Sequence, residues 1–412
     1  MAALAAATSM AAAGGFAPHE QSAVFLGSAF AGSAAGGSLG SMFWNPAALG
    51  QFNGVNSESA YSLILPNTEI TSTGSTLDAF GTSSGDIGDT AILPASYFSY
   101  QLNEQIVLGL GVNAPFGLTT DGNFSWAGSV FARESKITTY NFTPTVAYRV
   151  APGVIVGAGL QIEYIDAQLR QAFGAPGGPT AAIKGTDTAV GFTAGILLTP
   201  TAGTSIGLGF RSMIEHELDG TFHIAGVAAK NDVSANVDLP EIVTLSLRQD
   251  LMPAWTLLGS VEWTNWSRLD QLLVTCDAAG APACGAPGAT LALLPLGWDD
   301  GWFFSLGLEH EYSSQLTLRA GAAYEISPIQ DAEGRTIRVP DADRFWLSAG
   351  ASYKYSEWTT IDVAYAHVFV EDASTVQLAP GPVVLNGDVE SSADILSIGV
   401  RSKLDWLFSG SH

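Results

Sequence analysis

Leu316-Thr317-Leu318-Arg319-Ala320-Gly321-Ala322-Ala323-Tyr324-Glu325 is the stretch that decides how this chain folds. Taken every second residue, Leu316, Leu318, Ala320, Ala322 and Tyr324 form one face, and Thr317, Arg319, Gly321, Ala323 and Glu325 the other. A period of two marks a strand with one apolar side. The alternation recurs at Phe304, Leu306 and Leu308 against Ser305, Gly307 and Glu309, and at Trp255, Leu257, Val261 and Trp263 against Thr256, Ser260, Glu262 and Thr264. It recurs again at Val243, Leu245 and Leu247, and at Leu396, Ile398 and Val400. These runs reach about ten residues, the length a tilted strand needs to cross a bilayer. Strands of a soluble sandwich are shorter, near about six residues.

Working outward from these runs, the joins alternate. Tight turns fall at Asn103-Glu104, Ala151-Pro152-Gly153, Thr201-Ala202-Gly203, Met252-Pro253, Ser313-Ser314 and Ser356-Glu357. Between them lie long joins, at 67–93, 118–132, 171–187, 227–234, 277–296, 329–341 and 372–391. Short turns on one side and long loops on the other are the layout of an outer-membrane barrel. The expected fold class is all-β: a transmembrane antiparallel β-barrel of about fourteen strands, beginning near 53, 94, 105, 133, 153, 188, 204, 235, 254, 300, 315, 342, 358 and 392. Closure leaves no strand edge for lipid to face. Rings at strand ends, among them Tyr97, Phe98, Tyr100, Tyr148, Trp263, Trp266, Trp302, Phe345, Trp346, Tyr353, Tyr355 and Trp358, are expected in the two interfacial girdles.

Composition agrees. Hydrophobic residues make up 47% of the 412 residues and charged residues 13%, about half the charge of a soluble domain. No uninterrupted apolar run of about 20 residues offers a membrane helix. The net charge of −23 opposes nucleic acid as a partner. Much of the acid falls in the long joins (Asp78, Asp86, Asp121, Asp277, Asp331, Glu333) or just beyond one (Asp299), where it solvates loops or meets outer-membrane lipid and lipopolysaccharide. The six histidines are scattered, with no metal spacing and no nucleophile–base constellation. No enzyme activity, metal or cofactor is therefore expected. Cys276 and Cys284 share one long join, and a disulfide is expected there if that join lies outside the cytoplasm.

Residues 1–13 are small and apolar, with Ala11-Ala12-Ala13 before Gly14, and are expected to be a signal-peptide remnant lacking its basic start. Residues 14–51 are rich in Gly, Ala and Ser and end in Trp44-Asn45-Pro46-Ala47-Ala48-Leu49. They are too irregular for a strand and too apolar for a free tail, so a plug in the lumen is expected. The barrel is expected over 52–408, although Phe408 is followed by Ser-Gly-Ser-His where a terminal aromatic would end the last strand.

Four stretches, in order, then carry a resemblance: Gly15-Phe16 with Gly27-Ser28-Ala29-Phe30-Ala31-Gly32; Trp44-Asn45-Pro46-Ala47; Asn113-Ala114-Pro115-Phe116-Gly117-Leu118; and Pro340-Asp341-Ala342-Asp343-Arg344-Phe345-Trp346-Leu347-Ser348-Ala349-Gly350. The chain resembles the FadL family of outer-membrane long-chain fatty-acid and hydrocarbon transporters (OMPP1/FadL/TodX). The resemblance implies a hatch at 14–51 inside a fourteen-stranded barrel, with Phe16, Asn45, Pro46 and Ala47 as hatch residues that meet ligand. It implies a lateral gate in the third strand, at Asn113, Pro115, Phe116 and Gly117. Proline cannot donate to a strand ladder, yet Pro144 also interrupts a strand-like run, so proline alone does not decide. An external hydrophobic groove is implied, with Phe124, Trp126, Phe131, Leu293 and Leu294 as its lining. Inward-facing Arg211 and Arg319, with Arg248 and Lys354, either orient a fatty-acid carboxylate or pair with Glu163, Glu262, Glu309 or Glu325. The function implied is passive uptake of hydrophobic molecules, most of all long-chain fatty acids, by a monomer, with lateral release into the bilayer. The alternatives are aromatic or alkane cargo, and a general diffusion porin.

Overall fold

The computed structural model describes residues 14–379 and 383–405. The expected leader, residues 1–13, and the expected barrel end at 408 lie outside them. The described chain forms a closed, antiparallel barrel of 14 strands. In chain order these are β1 (Val55–Ser75), β2 (Ala91–Gln101), β3 (Ile106–Asn113, then Gly117–Asp121), β4 (Glu134–Ala151), β5 (Val154–Ala172) and β6 (Thr180–Thr201). There follow β7 (Thr204–Arg211, then Ile214–Ile224), β8 (Lys230–Leu239, then Ile242–Met252), β9 (Trp255–Thr264, then Gln271–Cys276) and β10 (Thr290–Pro295, then Gly301–Glu311). The last are β11 (Leu316–Ile326), β12 (Arg344–Lys354), β13 (Thr359–Val370, then Ala373–Ala379) and β14 (Val383–Lys403). Neighbours in sequence pair in turn, and β14 closes the ring on β1, from Asn56 opposite Lys403 to Ser75 opposite Leu385.

Turn chemistry sets the short-turn end. The Asn103 carboxamide oxygen accepts from Gln105 N at 2.9 Å and Ile106 N at 2.8 Å, an Asx turn that reverses the chain between β2 and β3. Gly153 and Gly203 take positive φ of 78° and 84° in the next two turns, where a side chain would be strained. Leu306, Leu347 and Ile398 face outward and exposed, while Ser305, Ser348 and Ser397 on the same strands are buried.

Two expectations are corrected. Most of 67–93, 171–187 and 372–391 is strand, not loop. The outer half of β1 turns Asn67, Glu69, Thr71 and Thr73 outward and Thr68, Ile70 and Ser72 inward. With polar residues on both faces there is no apolar stripe to read, and continuous backbone pairing to β14 holds the extension. The girdle also loses three members. Tyr97, Trp266 and Trp346 are buried in the interior. Tyr97 and Trp346 each neighbour a ring that does face out (Phe98, Phe345), and the pleat sends successive side chains to opposite faces.

Residues 14–51 lie inside the ring as four short helical turns, Ala23–Leu26, Ser33–Ala35, Leu39–Phe43 and Pro46–Gln51. Only Gly37 among them is exposed. Their apolar side chains (Phe25, Leu26, Phe30, Met42, Phe43, Trp44, Leu49) share one cluster with inward residues of the wall such as Val107, Phe303, Trp346 and Ile395.

Candidate functional site

The seat of the N-terminal segment is built from backbone. Gly207 and Gly209 on β7, Gly157 on β5 and Gly321 on β11 point inward, and a Cβ at any of them would run into the backbone of Ala34, Trp44, Ala47 and Ser28 respectively. Asn45 caps the turn Pro46–Gln51: its Oδ1 accepts from Ala47 N at 3.0 Å. Its Nδ2 donates to Ala34 O at 2.8 Å and to Ile196 O on β6 at 3.0 Å. Asn45, Pro46 and Ala47 are fully engaged between segment and wall.

Two carboxylates hold the start of the segment. Gly14 N donates to Glu325 Oε1 at 2.7 Å and Gly15 N to Asp341 Oδ2 at 2.9 Å. Both carboxylates face Arg344, which pairs with Asp341 and lies 3.6 Å from Glu325. Arg344, Asp341 and Glu325 are each about 5% exposed or less. Buried charges persist when paired and hydrogen-bonded, and the amides of residues 14 and 15 complete the shell that Arg344, Ser327 and Trp346 begin.

That anchorage presents Phe16 to an aromatic cluster. Its ring centroid lies 4.7 Å from that of Trp266, 5.9 Å from Trp298 and 6.1 Å from Phe116. Leu118, Leu269, Leu296 and Val339 belong to the same cluster, and Leu294 packs against it.

Phe116 sits where the wall is broken. The first half of β3 pairs with β2 up to Val112 opposite Ser96, and with β4 up to Asn113 opposite Asn141. Across Ala114-Pro115-Phe116 the pairing lapses, and the second half rejoins only β4, with Gly117 opposite Thr138. The outer end of β2, from Ala91 to Ala95, pairs with β1 alone. A single bridge between Gly88 and Thr120 closes the gap further out. Pro94 and Pro115 lie on its two margins, where a missing donor costs least. Pro144, by contrast, stays within a continuous β4 opposite Leu110. From inside, residues 16–21 fill the gap: Gly117 N donates to Phe16 O at 2.9 Å, and Gln21 Nε2 donates to Ala114 O at 2.9 Å.

On the long-loop side an open groove of about 510 Å³ runs between the outer ends of β5, β6 and β7, the β9–β10 hairpin and the β11–β12 loop. Phe131, Leu293 and Leu294 line it, together with Phe173, Ile183, Phe222 and Leu272. Trp126 is buried beside it against Ile70, Ile87 and Leu385. Phe124 is exposed, with the Arg133 guanidinium 3.6 Å over its ring. Ile183 was hidden from the sequence because its strand read as a loop. Arg211 and Arg319 are not in the groove. Arg211 donates to Phe43 O at 3.2 Å behind the segment, and Arg319 pairs with Glu309 at 2.7 Å. Lys354 is exposed at the end of β12. Among the described residues no group of three or more His, Cys, Asp or Glu is placed to hold a metal ion.

The hairpin that carries Leu293 and Leu294 pairs Leu273 with Leu293 and is tied by a Cys276–Cys284 disulfide, with Cα atoms 5.7 Å apart. Closing so short a loop is worth about 2–3 kcal/mol. Replacing both cysteines by serine is expected to speed hydrogen exchange over 271–295 and weaken groove binding several-fold, with the barrel's heat resistance unchanged. Unaltered exchange in that hairpin would show that the crosslink does not hold it.

The model of the family described as "Outer membrane protein transport protein (OMPP1/FadL/TodX)" matches residues 4–404. The chain belongs to the OMPP1/FadL/TodX family. Among curated relatives, it is 27% identical over 396 residues to a long-chain fatty acid transport protein of Escherichia coli O6:H1, covering 86% of each chain. Over 315 residues it is 26% identical to outer membrane protein P1 of Haemophilus influenzae, covering 68% of this chain and 66% of that one. Its fold is that of a FadL homologue of Pseudomonas aeruginosa (TM-score 0.83, 22% identity, 94% of this chain and 99% of that one). The toluene transporter TbuX of Ralstonia pickettii is also similar (TM-score 0.68, 20% identity, 93% and 98%). As an OMPP1/FadL/TodX protein the chain is an outer-membrane protein of a family of transporters for hydrophobic compounds.

Proposed function

We propose that the protein takes up hydrophobic molecules, long-chain fatty acids first among them, and releases them sideways into the outer membrane. One observation carries the reading. Phe116 and Leu118, at the broken strand, share a single apolar cluster with Phe16 and with Leu294 of the groove wall. A ligand leaving the groove past Leu294 meets apolar surface all the way to the gap, with the Phe16 ring as the obstacle. The N-terminal segment acts as a hatch: withdrawal of residues 14–18 clears Phe16 and frees the Gly117 and Ala114 backbone groups at the margin. The exposed side chains Tyr61, Leu65 and Ile92 on β1 and β2 give the exit an apolar rim. No energy source is needed. Transfer of apolar surface from water to lipid yields about 0.8 kcal/mol per methylene, so a ten-carbon tail moves downhill by about 8 kcal/mol.

The four-ring cluster of Phe16, Phe116, Trp266 and Trp298 also suits an aromatic cargo, which stacks edge-to-face on such rings. A diffusion porin would need an open lumen, which residues 14–51 occupy.

The exit is tested by Pro115→Val with Gly117→Val, which restores strand-forming residues across the gap. The folded double variant is expected to lose about 10-fold or more of labelled oleate uptake into cells. Uptake at the wild-type rate by a folded variant would rule out lateral release there.

A further inference from the structure

Residues 19–21 carry chemistry that closing the gap does not use. Gln21 and the backbone make the closing bonds: besides Gln21 Nε2 to Ala114 O, Tyr97 Oη donates to Gln21 O at 3.1 Å and Ser62 Oγ to Glu20 O at 3.3 Å. The side chains of His19 and Glu20 are ionisable and buried. His19 stands between two wall carboxylates, with Nδ1 3.5 Å from Glu262 Oε1 on β9 and Nε2 3.6 Å from Glu325 Oε1 on β11. The rings of Phe30, Phe303 and Trp346 surround it. Glu20 is fully buried, and neither of its carboxyl oxygens has a hydrogen-bond partner among the described residues. The wall brings Glu262, Glu325 and Asp341 to this interface against Arg344. Arg211 acts on Glu262 as well, but it is shared with Glu163. Carboxylates therefore outnumber cations even with His19 charged and Glu20 neutral. Removing those two protons would deepen a buried negative excess, which is costly.

We propose that His19 and Glu20 form a proton-operated latch, which holds the start of the segment seated while both carry a proton and frees it when they lose them. Withdrawal opens both side chains to water, where they return to ordinary values. In the seated segment, burial pushes the Glu20 carboxyl from 4.5 up to about 7. Burial acts downward on the His19 imidazole, but Glu325 and Glu262 outweigh it and raise the group from 6.5 to about 9. Both shifts have the same sign, because each group holds its proton more tightly seated than withdrawn. The contribution of Glu20 is complete below 4.5 and lost as pH rises to about 7, and that of His19 is complete below 6.5 and lost as pH rises to about 9. Each proton released on withdrawal changes the ratio of seated to withdrawn by about 10-fold per pH unit. Glu325 and Asp341, paired with Arg344, stay in the wall in either state. This inference rests on the reading of residues 14–51 as a hatch and adds the condition that opens it.

The test is hydrogen exchange of the full chain in nanodiscs at pH 5.5 and 8.5, with protection over 14–21 referred to the intrinsic exchange rate at each pH and strand β5 as the control. In wild type, protection over 14–21 is expected to fall about 10-fold or more between the two pH values, with β5 unchanged. Glu20→Gln, which keeps a neutral side chain at any pH, should hold several-fold more protection than wild type at pH 8.5. His19→Gln with Glu20→Gln should give the same protection at both pH values. Equal protection of wild type at the two pH values would overturn the latch. So would a double variant that keeps the wild-type pH dependence, since the titrating groups would then lie elsewhere. Protein-dependent uptake of labelled methyl oleate, which carries no titrating group, is measured on cells at the same two pH values. Uptake with no change in protection would remove the latch alone, whereas loosening at pH 8.5 with no uptake at either pH would leave the latch and remove the uptake reading.

Discussion

Valine at both Gly207 and Gly209 is expected to unseat the N-terminal segment and turn a closed barrel into one that conducts ions. The added Cβ atoms would meet the Ala34 and Trp44 carbonyl groups. These are backbone, and cannot swing aside as a side-chain tip would. Overpacking of this kind costs about 1–3 kcal/mol per site. If the two sites add, the seated state loses about 2–6 kcal/mol, a shift of about 30-fold to 10⁴-fold in its population. The wall itself does not suffer. Gly207 and Gly209 lie within β7, paired to Ser246 and Thr244 of β8, and valine suits a strand better than glycine. Planar-bilayer recording checks this, with the outward-facing Leu208→Val as control. Silence from the folded double variant, with residues 14–51 still protected, would mean the glycine seat does not set the position of the segment.

Arg344→Met is expected to release the start of the segment while leaving the rest seated. The loss leaves Asp341 without an ion-pair partner and Glu325 with only His19 Nε2 at 3.6 Å, the two carboxylates keeping Gly14 N, Gly15 N, Ser327 Oγ at 2.6 Å and Trp346 Nε1 at 3.1 Å. Removing one partner of a buried ion pair costs about 3–5 kcal/mol. The cheapest relief is for water to reach the carboxylates, which residues 14–16 must move to allow. Brief proteinase K treatment read by mass spectrometry should then cut near Phe16 in the variant and not in wild type. Adding Glu325→Gln and Asp341→Asn removes the stranded charge and should restore much of the protection. Protection of Arg344→Met equal to wild type would mean that the ion pairs do not anchor the segment.

The membrane-crossing part of the barrel was legible because lipid on one side and a packed lumen on the other force an alternation such as Leu316 to Glu325. Where water replaces lipid, as along Thr68 to Ser75, the alternation fades and only pairing with β14 reveals the strand. The break at Pro115 was legible locally, since proline and glycine mark lapses in a ladder. What fills it was not. Phe16 and Gly117 lie 101 positions apart in sequence, and nothing near either residue announces the bond between them. Asp341 and Arg344 carried a resemblance without a physical reason, and the reason is contact with Gly15, 326 residues away. The paired glycines Gly207 and Gly209 did carry a signal: small residues at alternate positions face the same way and mark a place where other backbone comes close.

The bond from Gly117 N to the Phe16 carbonyl is made by two peptide groups. It is therefore blind to side-chain identity at both ends, and alanine scanning, which changes only side chains, passes over it. Point substitution drifts freely around such a contact, while a one-residue deletion between 14 and 16 would shift the carbonyl out of reach. Homologues that have diverged in most of their residues can therefore keep this closure intact, provided that the spacing of the first few residues is held.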